Sequence, residues 1–428
     1  MLDRLPSAAW APPAPRRLLR LPANAGLLVC AVLVLGVSGG LLWTLGINYD
    51  GLTGSPVQKL HPATYLAAIL FGLAMLRAGN PVAHGARSCA RHPASVALLV
   101  ASLAYFLNIV LRGAPGMAGA LDTFLLPALV TILIVDADEE TLRRLEWLTH
   151  AVMTANAVLG LVEFATGQRF FPYRLDGAIF ETDTRSAALQ GHPLGNATLT
   201  ACYVLALLSG GGRLPDSVRI GFVLLQSAAL VTFGGRSGIV ITLLLGGGRV
   251  GLLLFRALVR NRISLPAAML AAFALPLVPL AVAGLVAGGF FDSLAGRFAA
   301  DGGSANARVE MFALFDRIPL RDLIIGPDTA LVETLRRMNG LEWGIENPII
   351  RTLLYQGAVV TVVLTVTTAL FLREVAHRCR PGIALPMIAF LILINTFESL
   401  GGKTTLLAKF AILLLALYRP LPRWERGR

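Results

Sequence analysis

The chain has 428 residues, of which 55% are hydrophobic and only 14% charged, and its mean hydropathy is +0.69. A soluble domain of this size needs far more charge to keep its surface wet, so that class is excluded. The formal net charge of +12 comes from residues scattered between apolar runs, which speaks against nucleic-acid binding and for cationic loops beside a membrane.

The first 24 residues are rich in Ala and Pro and read as a cytoplasmic tail. Arg16, Arg17 and Arg20 then precede a long apolar run without a small-residue cleavage site, so the first helix is expected to be retained rather than removed as a signal peptide. Runs of about twenty apolar residues recur to the end of the chain, the length a helix needs to cross about 30 Å of hydrocarbon. Period-two alternation is missing, so barrel strands are not expected. The expected fold is all-α: a polytopic transmembrane helical bundle of about 12 spans. In chain order these are 25–46, 62–77, 94–111, 117–135, 147–166, 193–210, 217–233, 237–257, 264–290, 348–372, 383–399 and 404–418, within an integral domain of 25–418.

The connections predict the orientation. With the N-terminus in the cytoplasm, the inner connections carry Arg77, Arg87 and Arg91, then Arg143 and Arg144, Arg213 and Arg219, Arg256, Arg260 and Arg262, and Arg373, Arg378 and Arg380. A second cytoplasmic tail, 419–428, adds more arginine. The short outer connections are nearly bare of cations, as the positive-inside rule requires. None of Cys30, Cys89, Cys202 and Cys379 falls in an outer loop, so no disulfide framework is expected.

Two long outer loops, about 167–192 and 291–347, are rich in arginine. Long loops translocate despite positive charge and commonly carry function. Helical spacing predicts helices over 305–315 and 329–338 in the second loop, with Pro319, Gly326 and Pro327 breaking the chain between them.

In the first loop, Arg169, Arg174, Arg185 and His192 suit either the lipid-headgroup region or an anionic substrate, because guanidinium donates paired hydrogen bonds to phosphate. His192 is a candidate general base, with Asn196 one helical turn further on. Arg236 stands in the turn Phe233-Gly-Gly-Arg-Ser-Gly, where it either caps a helix end or meets a ligand. Arg308 lies on the expected loop helix, whose bland reading is a solvated amphipathic face. Asp122, Glu163 and Glu398 fall near the outer ends of their spans and are expected to face a cavity or a partner, with Lys409 expected to pair with one of them. Gly401-Gly-Lys-Thr looks like the end of a phosphate-binding loop, but Phe397 stands where the upstream glycine belongs, so it is set aside. Asn196-Ala-Thr fits a glycosylation acceptor but lies inside a span. The histidines show no metal-binding spacing, so no metal or other cofactor is expected.

Four local pieces, in order, resemble the O-antigen ligase and polymerase superfamily of bacterial envelope proteins (the Wzy/WaaL type), and within it the VpsF-type exopolysaccharide biosynthesis proteins. They are Phe180 to Asn196, the turn holding Arg236, Arg308 followed by Asp322-Leu-Ile-Ile-Gly-Pro, and Glu346-Asn-Pro-Ile-Ile-Arg-Thr-Leu-Leu-Tyr-Gln-Gly. The resemblance extends from about the third span onward. It implies a GT-C-like membrane enzyme that moves glycan from an undecaprenyl-pyrophosphate carrier to an acceptor hydroxyl, on the outer face of the bacterial inner membrane. It implies that Arg236 and Arg308, with Arg185, hold the pyrophosphate, and that Asn196, Asn347 and Arg351 support the acceptor. Ligase members typically carry His-Asn where this chain has Glu346-Asn347, so the proton acceptor is either Glu346 or His192. The expected partners are the lipid-linked glycan, membrane lipids and other polysaccharide assembly proteins. Rival readings are a lipid-linked sugar transporter, a glycan ligase, and a non-catalytic member of a secretion complex.

Overall fold

A computed structural model describes residues 20–180, 183, 185–259, 283–292, 295–296, 304–341 and 344–419. The regular structure there is helical except for one hairpin of two-residue strands. Ahead of the first long loop stand α1 (Arg20–Gly36), α2 (Gly39–Thr44), α3 (Pro62–Arg77), α4 (Pro81–Arg91), α5 (Pro93–Arg112), α6 (Met117–Val135) and α7 (Glu139–Thr166). The loop holds β1 (Arg174–Leu175) and β2 (Ala178–Ile179), antiparallel with Arg174 opposite Ile179. Next come α8 (Pro193–Leu208), α9 (Asp216–Phe233) and α10 (Arg236–Val259). The second loop contributes α11 (Ser304–Ala313), α12 (Leu320–Ile325), α13 (Thr329–Met338) and α14 (Pro348–Gln356), and the chain finishes with α15 (Ala358–Arg378), α16 (Ala384–Leu393) and α17 (Leu406–Leu417).

The sequence sets these boundaries by familiar means. Five helices, α3, α4, α5, α8 and α14, begin with proline at the first turn, where its missing N–H costs nothing. Asp138 caps α7 by accepting from Thr141 N at 2.8 Å, and Glu139 and Glu140 complement the positive end of that helix. Helices close on one another where side chains are smallest. A Cβ on Gly160 of α7 would fall 2.4 Å from the Phe233 ring of α9, so the ring lies directly on the helix backbone.

Among the described residues six helices, α5, α6, α7, α9, α10 and α15, are long and apolar enough to cross a membrane. The chain is thus an all-α protein of multi-pass membrane type. α3 and α4 would add a seventh crossing if taken together, but they meet at 116°, and α4, with Arg87 and Arg91, turns aside as an amphipathic helix.

The expected spans need correction in several places. The 25–46 run breaks at Val37 and Ser38 into α1 and α2, with the Ser38 hydroxyl capping α2. The 348–372 run breaks at Gly357, whose φ of +85° ends α14 before α15 begins. The 383–399 run is helical only to Leu393. The proposed 264–290 span lies mostly outside the described residues. The helices expected over 305–315 and 329–338 are present as α11 and α13, with a small apolar core of their own that includes Leu314, Val332, Leu341 and Leu354.

The core decides where the site sits. Every residue of α17 from Leu406 to Leu417 is buried, as are thirteen of the sixteen in α8. Twelve helical residues reach only about 18 Å, well short of the hydrocarbon thickness. α17 is wrapped by α1, α6, α7, α8 and α15, with Phe410 stacked on Phe390 of α16 at 3.8 Å. Short helices enclosed by longer ones leave room at their ends, and the site lies at one of them.

The two ends of the bundle differ. At one, Arg380 donates to the carbonyls of Gly210 and Leu417, Arg419 meets Glu146 at 3.3 Å, and Arg91 meets Asp136. This arginine-rich end gathers the connections that precede α5, α7 and α9. The other end gathers the described residues of 38–61, 167–192, 326–357 and 394–405. Arg112, at the end of α5, ties the loop helices down there by donating to Pro327 O at 2.6 Å and Tyr355 O at 3.3 Å.

Candidate functional site: a polar cavity above two buried helices

A cavity of about 240 Å³ opens at this second end. Its floor is the start of α8 and of α17, at Gly191–His192 and Thr404–Thr405. Its walls come from the α1–α2 break, the 47–61 connection, the 173–176 hairpin and the 397–405 segment. Both helices turn their partly positive ends toward this floor, although the amides of Leu194, Gly195 and Leu406 are already taken up by His192 Nδ1 and Thr404 Oγ1. Lys403 and Arg174 add positive charge and Lys409 a buried amine, opposed by Asp50, Glu398 and Asp176.

The backbone around the cavity is held firmly. Asp122 accepts from Thr64 Oγ1 at 2.6 Å, Tyr49 Oη at 2.9 Å and the His61 amide. Glu163 accepts from the amides of Phe170, Ala187 and Ala188 at 3.0, 3.1 and 3.0 Å. Of the three carboxylates expected to face a cavity or a partner, Asp122 and Glu163 thus find partners in the segments around the cavity, and Glu398 lines it. His61 bonds through both ring nitrogens, Nδ1 to Ala63 N and Nε2 to Val37 O, and so fixes the end of α1.

His192 lines the cavity, between the rings of Tyr173 at 4.5 Å and Phe397 at 5.7 Å. It is the N-cap of α8, not part of the helix. Its Nδ1 accepts from the amides of Leu194 and Gly195 at 3.2 and 3.3 Å. With Nδ1 so engaged, the neutral ring carries its hydrogen on Nε2. Burial, reinforced by Arg185, pushes its pKa down to about 4. In this arrangement the ring presents its Nε2–H to the cavity as a hydrogen-bond donor.

Lys403 donates to Tyr49 O at 2.5 Å, lies 3.6 Å over the Tyr49 ring, and comes within 3.9 Å of Asp50. Burial lowers its pKa, against the pull of Asp50 and Asp122. The Gly401-Gly-Lys-Thr segment set aside on sequence grounds is therefore part of the cavity wall. Lys409 pairs with no carboxylate among the described residues, contrary to expectation; it donates to Gln190 Oε1 at 2.6 Å. Arg174 stacks over Trp43 at 4.4 Å and donates to Gly177 O.

The other predicted site residues divide. Arg351 reaches the cavity through an ion pair with Glu398. Asn347 does not: its Oδ1 caps α14 by accepting from Ile349 and Ile350 N at 3.0 and 3.1 Å. Asn196 is wholly buried and bonded to Asn156 at 2.8 Å and to Ala187 O at 3.1 Å, so it fastens α8 to α7. Arg185 is held by Asp183 in a two-pronged pair at 2.6 and 2.5 Å, beside a separate cleft rather than in the cavity. Arg236 starts α10 at the same end of the bundle, where a Cβ on Gly235 would lie 2.4 Å from Ala197 of α8. Glu346 immediately precedes the α14 cap and is half-buried. Arg308 is on α11, with its side chain outside the described residues. Sequence reasoning missed Asp50 and Gln190. The only sequence signal for Asp50 is that it is the sole carboxylate in the short 47–61 connection. Among the described residues no three His, Cys, Asp or Glu side chains converge as a metal site would need.

Fold and cavity together define the class: an all-α, multi-pass membrane protein with a charged cavity above a buried helical core. No known family model matches the chain, and no curated protein matches it in sequence.

Proposed function

We propose that the chain polymerises polysaccharide by moving glycan from an undecaprenyl-pyrophosphate carrier to an acceptor hydroxyl. In this reading about twelve spans cross the bacterial inner membrane, both termini are cytoplasmic, and the cavity faces the periplasm. The observation that carries it is that Lys403, Lys409, the His192 donor and the starts of α8 and α17 line one polar cavity. A diphosphate leaving group gathers charge as its bond to the sugar breaks, and fixed donors in a partly dry site stabilise that charge best. Arg351, steadied by Glu398, stands at the rim. Arg236 and Arg308 are proposed to add further guanidinium contacts to the carrier diphosphate, since a long glycan and its carrier need more than one cationic contact. α17 is packed on every side beneath the cavity, an arrangement better suited to a one-sided transfer site than to alternating access.

The test is growth of glycan chains by the purified protein in lipid discs, supplied with the lipid-linked glycan pool from cells lacking it. Chain growth supports the reading. Passage of the same lipid across a vesicle membrane without growth would replace it with a transporter, and neither result would leave a non-catalytic assembly role.

A further inference from the structure

Most carboxylates near the cavity are held by hydrogen bonds or ion pairs, but two that line it, the exposed Asp176 and the largely covered Asp50, accept no hydrogen bond among the described residues. Asp122 and Glu163 accept several hydrogen bonds each, Asp183 grips Arg185, and Glu398 pairs with Arg351. Asp50 lines the cavity, yet among the described residues its nearest polar partner is Lys403 Nζ at 3.9 Å, beyond hydrogen-bond reach.

The backbone that carries Asp50 is nonetheless pinned on both sides. Lys59 Nζ donates to the carbonyls of Asn48, Gly51 and Thr53 at 2.8, 2.5 and 2.6 Å. Lys403 holds the Tyr49 carbonyl and Asp122 holds the Tyr49 hydroxyl. The carboxylate also rests against the start of α2, where only glycine leaves room: a Cβ on Gly39 would fall 1.8 Å from Asp50 Oδ2. Three-quarters of the side chain is covered and the remainder faces the cavity. A rigidly placed carboxylate with unspent lone pairs is the arrangement a proton acceptor needs.

We propose that Asp50 is the catalytic base, taking the proton of the acceptor hydroxyl. This rests on the glycosyl-transfer reading above. As the acceptor oxygen bonds to the anomeric carbon, its proton passes to Asp50. The bond from that carbon to the carrier phosphate breaks, and its electron pair leaves with the diphosphate. Lys403 and the His192 Nε2–H meet that charge on the neighbouring wall. The groups facing Asp50 are Lys403 from the 397–405 segment, Arg174 and Tyr173 from the hairpin, and Lys59 and Tyr49 from its own connection. Burial raises its pKa, with the three cations pulling the other way, which brings the carboxylate nearer to working pH.

The experiment measures chain growth from the extracted lipid-linked glycan pool across about pH 5 to 9, with retention of the same lipids measured in parallel. Asp50→Asn should lose about 10²- to 10⁴-fold in turnover, keep the lipid, and lose the acidic limb of the profile. Asp50→Glu should recover part of the rate together with that limb. Asp216→Asn, at an exposed carboxylate of the opposite end, should stay near wild type, and Asp176→Asn is compared as the other open carboxylate of the cavity. Gly39→Ala, which displaces Asp50 without changing it, should slow growth while the acidic limb remains, and it decides the matter if Asp50→Asn does not fold. Turnover by Asp50→Asn within about threefold of wild type, or an unaltered rate in Gly39→Ala, overturns the assignment. A loss confined to Asp176→Asn moves the role to that residue. Absence of chain growth by the wild-type protein defeats the glycosyl-transfer reading itself, a result distinct from any of these.

Discussion

Lys409 Nζ donates to Gln190 Oε1 across 2.6 Å, joining the buried helix α17 to the turn that enters α8, and Gln190 Nε2 in turn donates to Leu35 O of α1 at 2.9 Å. One amide thus links three elements beneath the cavity. Gln190→Leu leaves a buried ammonium without that acceptor and should lower stability by about 1–3 kcal/mol. Lys409→Met in the same chain should restore part of the loss, because both polar partners are then gone. Thermal unfolding in detergent reads both. Lys409→Met alone should also weaken retention of the lipid diphosphate; unchanged retention would make the pair purely architectural.

His192 yields a prediction with a definite sign. Its folded pKa of about 4 lies below the ordinary 6.5, so the unfolded chain binds more protons between those values. Stability should therefore fall as pH drops from 6.5 towards 4. His192→Asn keeps a capping oxygen but removes the titration, so its unfolding temperature should depend less on pH in that window. His192→Ala should lose about 1 kcal/mol at neutral pH from the missing cap.

Arg236 and Arg308 are predicted to hold the carrier diphosphate. Lysine in either place keeps the charge but cannot donate a matched pair of hydrogen bonds. Arg236→Lys and Arg308→Lys should each cut polymer several-fold with protein levels unchanged, as seen by blotting cell membranes alongside polymer assay. Near-normal polymer in both variants would return these arginines to a structural role.

Orientation has a built-in reporter. Cys89 on α4 is an exposed thiol at the arginine-rich end, whereas Cys30 and Cys202 are buried. A membrane-impermeant maleimide should miss Cys89 in intact cells and label it in inverted vesicles. Ser55→Cys, placed at the cavity end in a Cys89→Ser background, should show the reverse. Labelling of native Cys89 from outside would invert the proposed topology.

Composition and spacing alone made several features legible. Apolar runs identified every long spanning helix among the described residues, because a helix in hydrocarbon must be apolar along its whole length. Pro319, Gly326 and Pro327 marked the breaks between the loop helices for an equally local reason. Backbone breaks inside apolar runs stayed hidden: Val37–Ser38 and Gly357 sit in sequence that reads as continuous hydrocarbon, and a turn's dihedral angles leave little trace in hydropathy.

The site divides in the same way. The sequence placed His192 at a loop-to-helix junction and flagged arginine-rich loops, since both are local patterns. It could not tell that Asn196 faces Asn156 rather than a ligand, or that Lys409 meets Gln190 rather than a carboxylate, because those partners lie 40 and 219 residues away. Nor could it separate Asp122, saturated by hydrogen bonds, from Asp50, which has none to spare its charge upon. A residue's type and its neighbours in the chain determine whether it suits membrane, loop or cap. Whether a buried charge is satisfied or left available depends on which distant groups the packing brings within about 3 Å, and only the tertiary structure decides that.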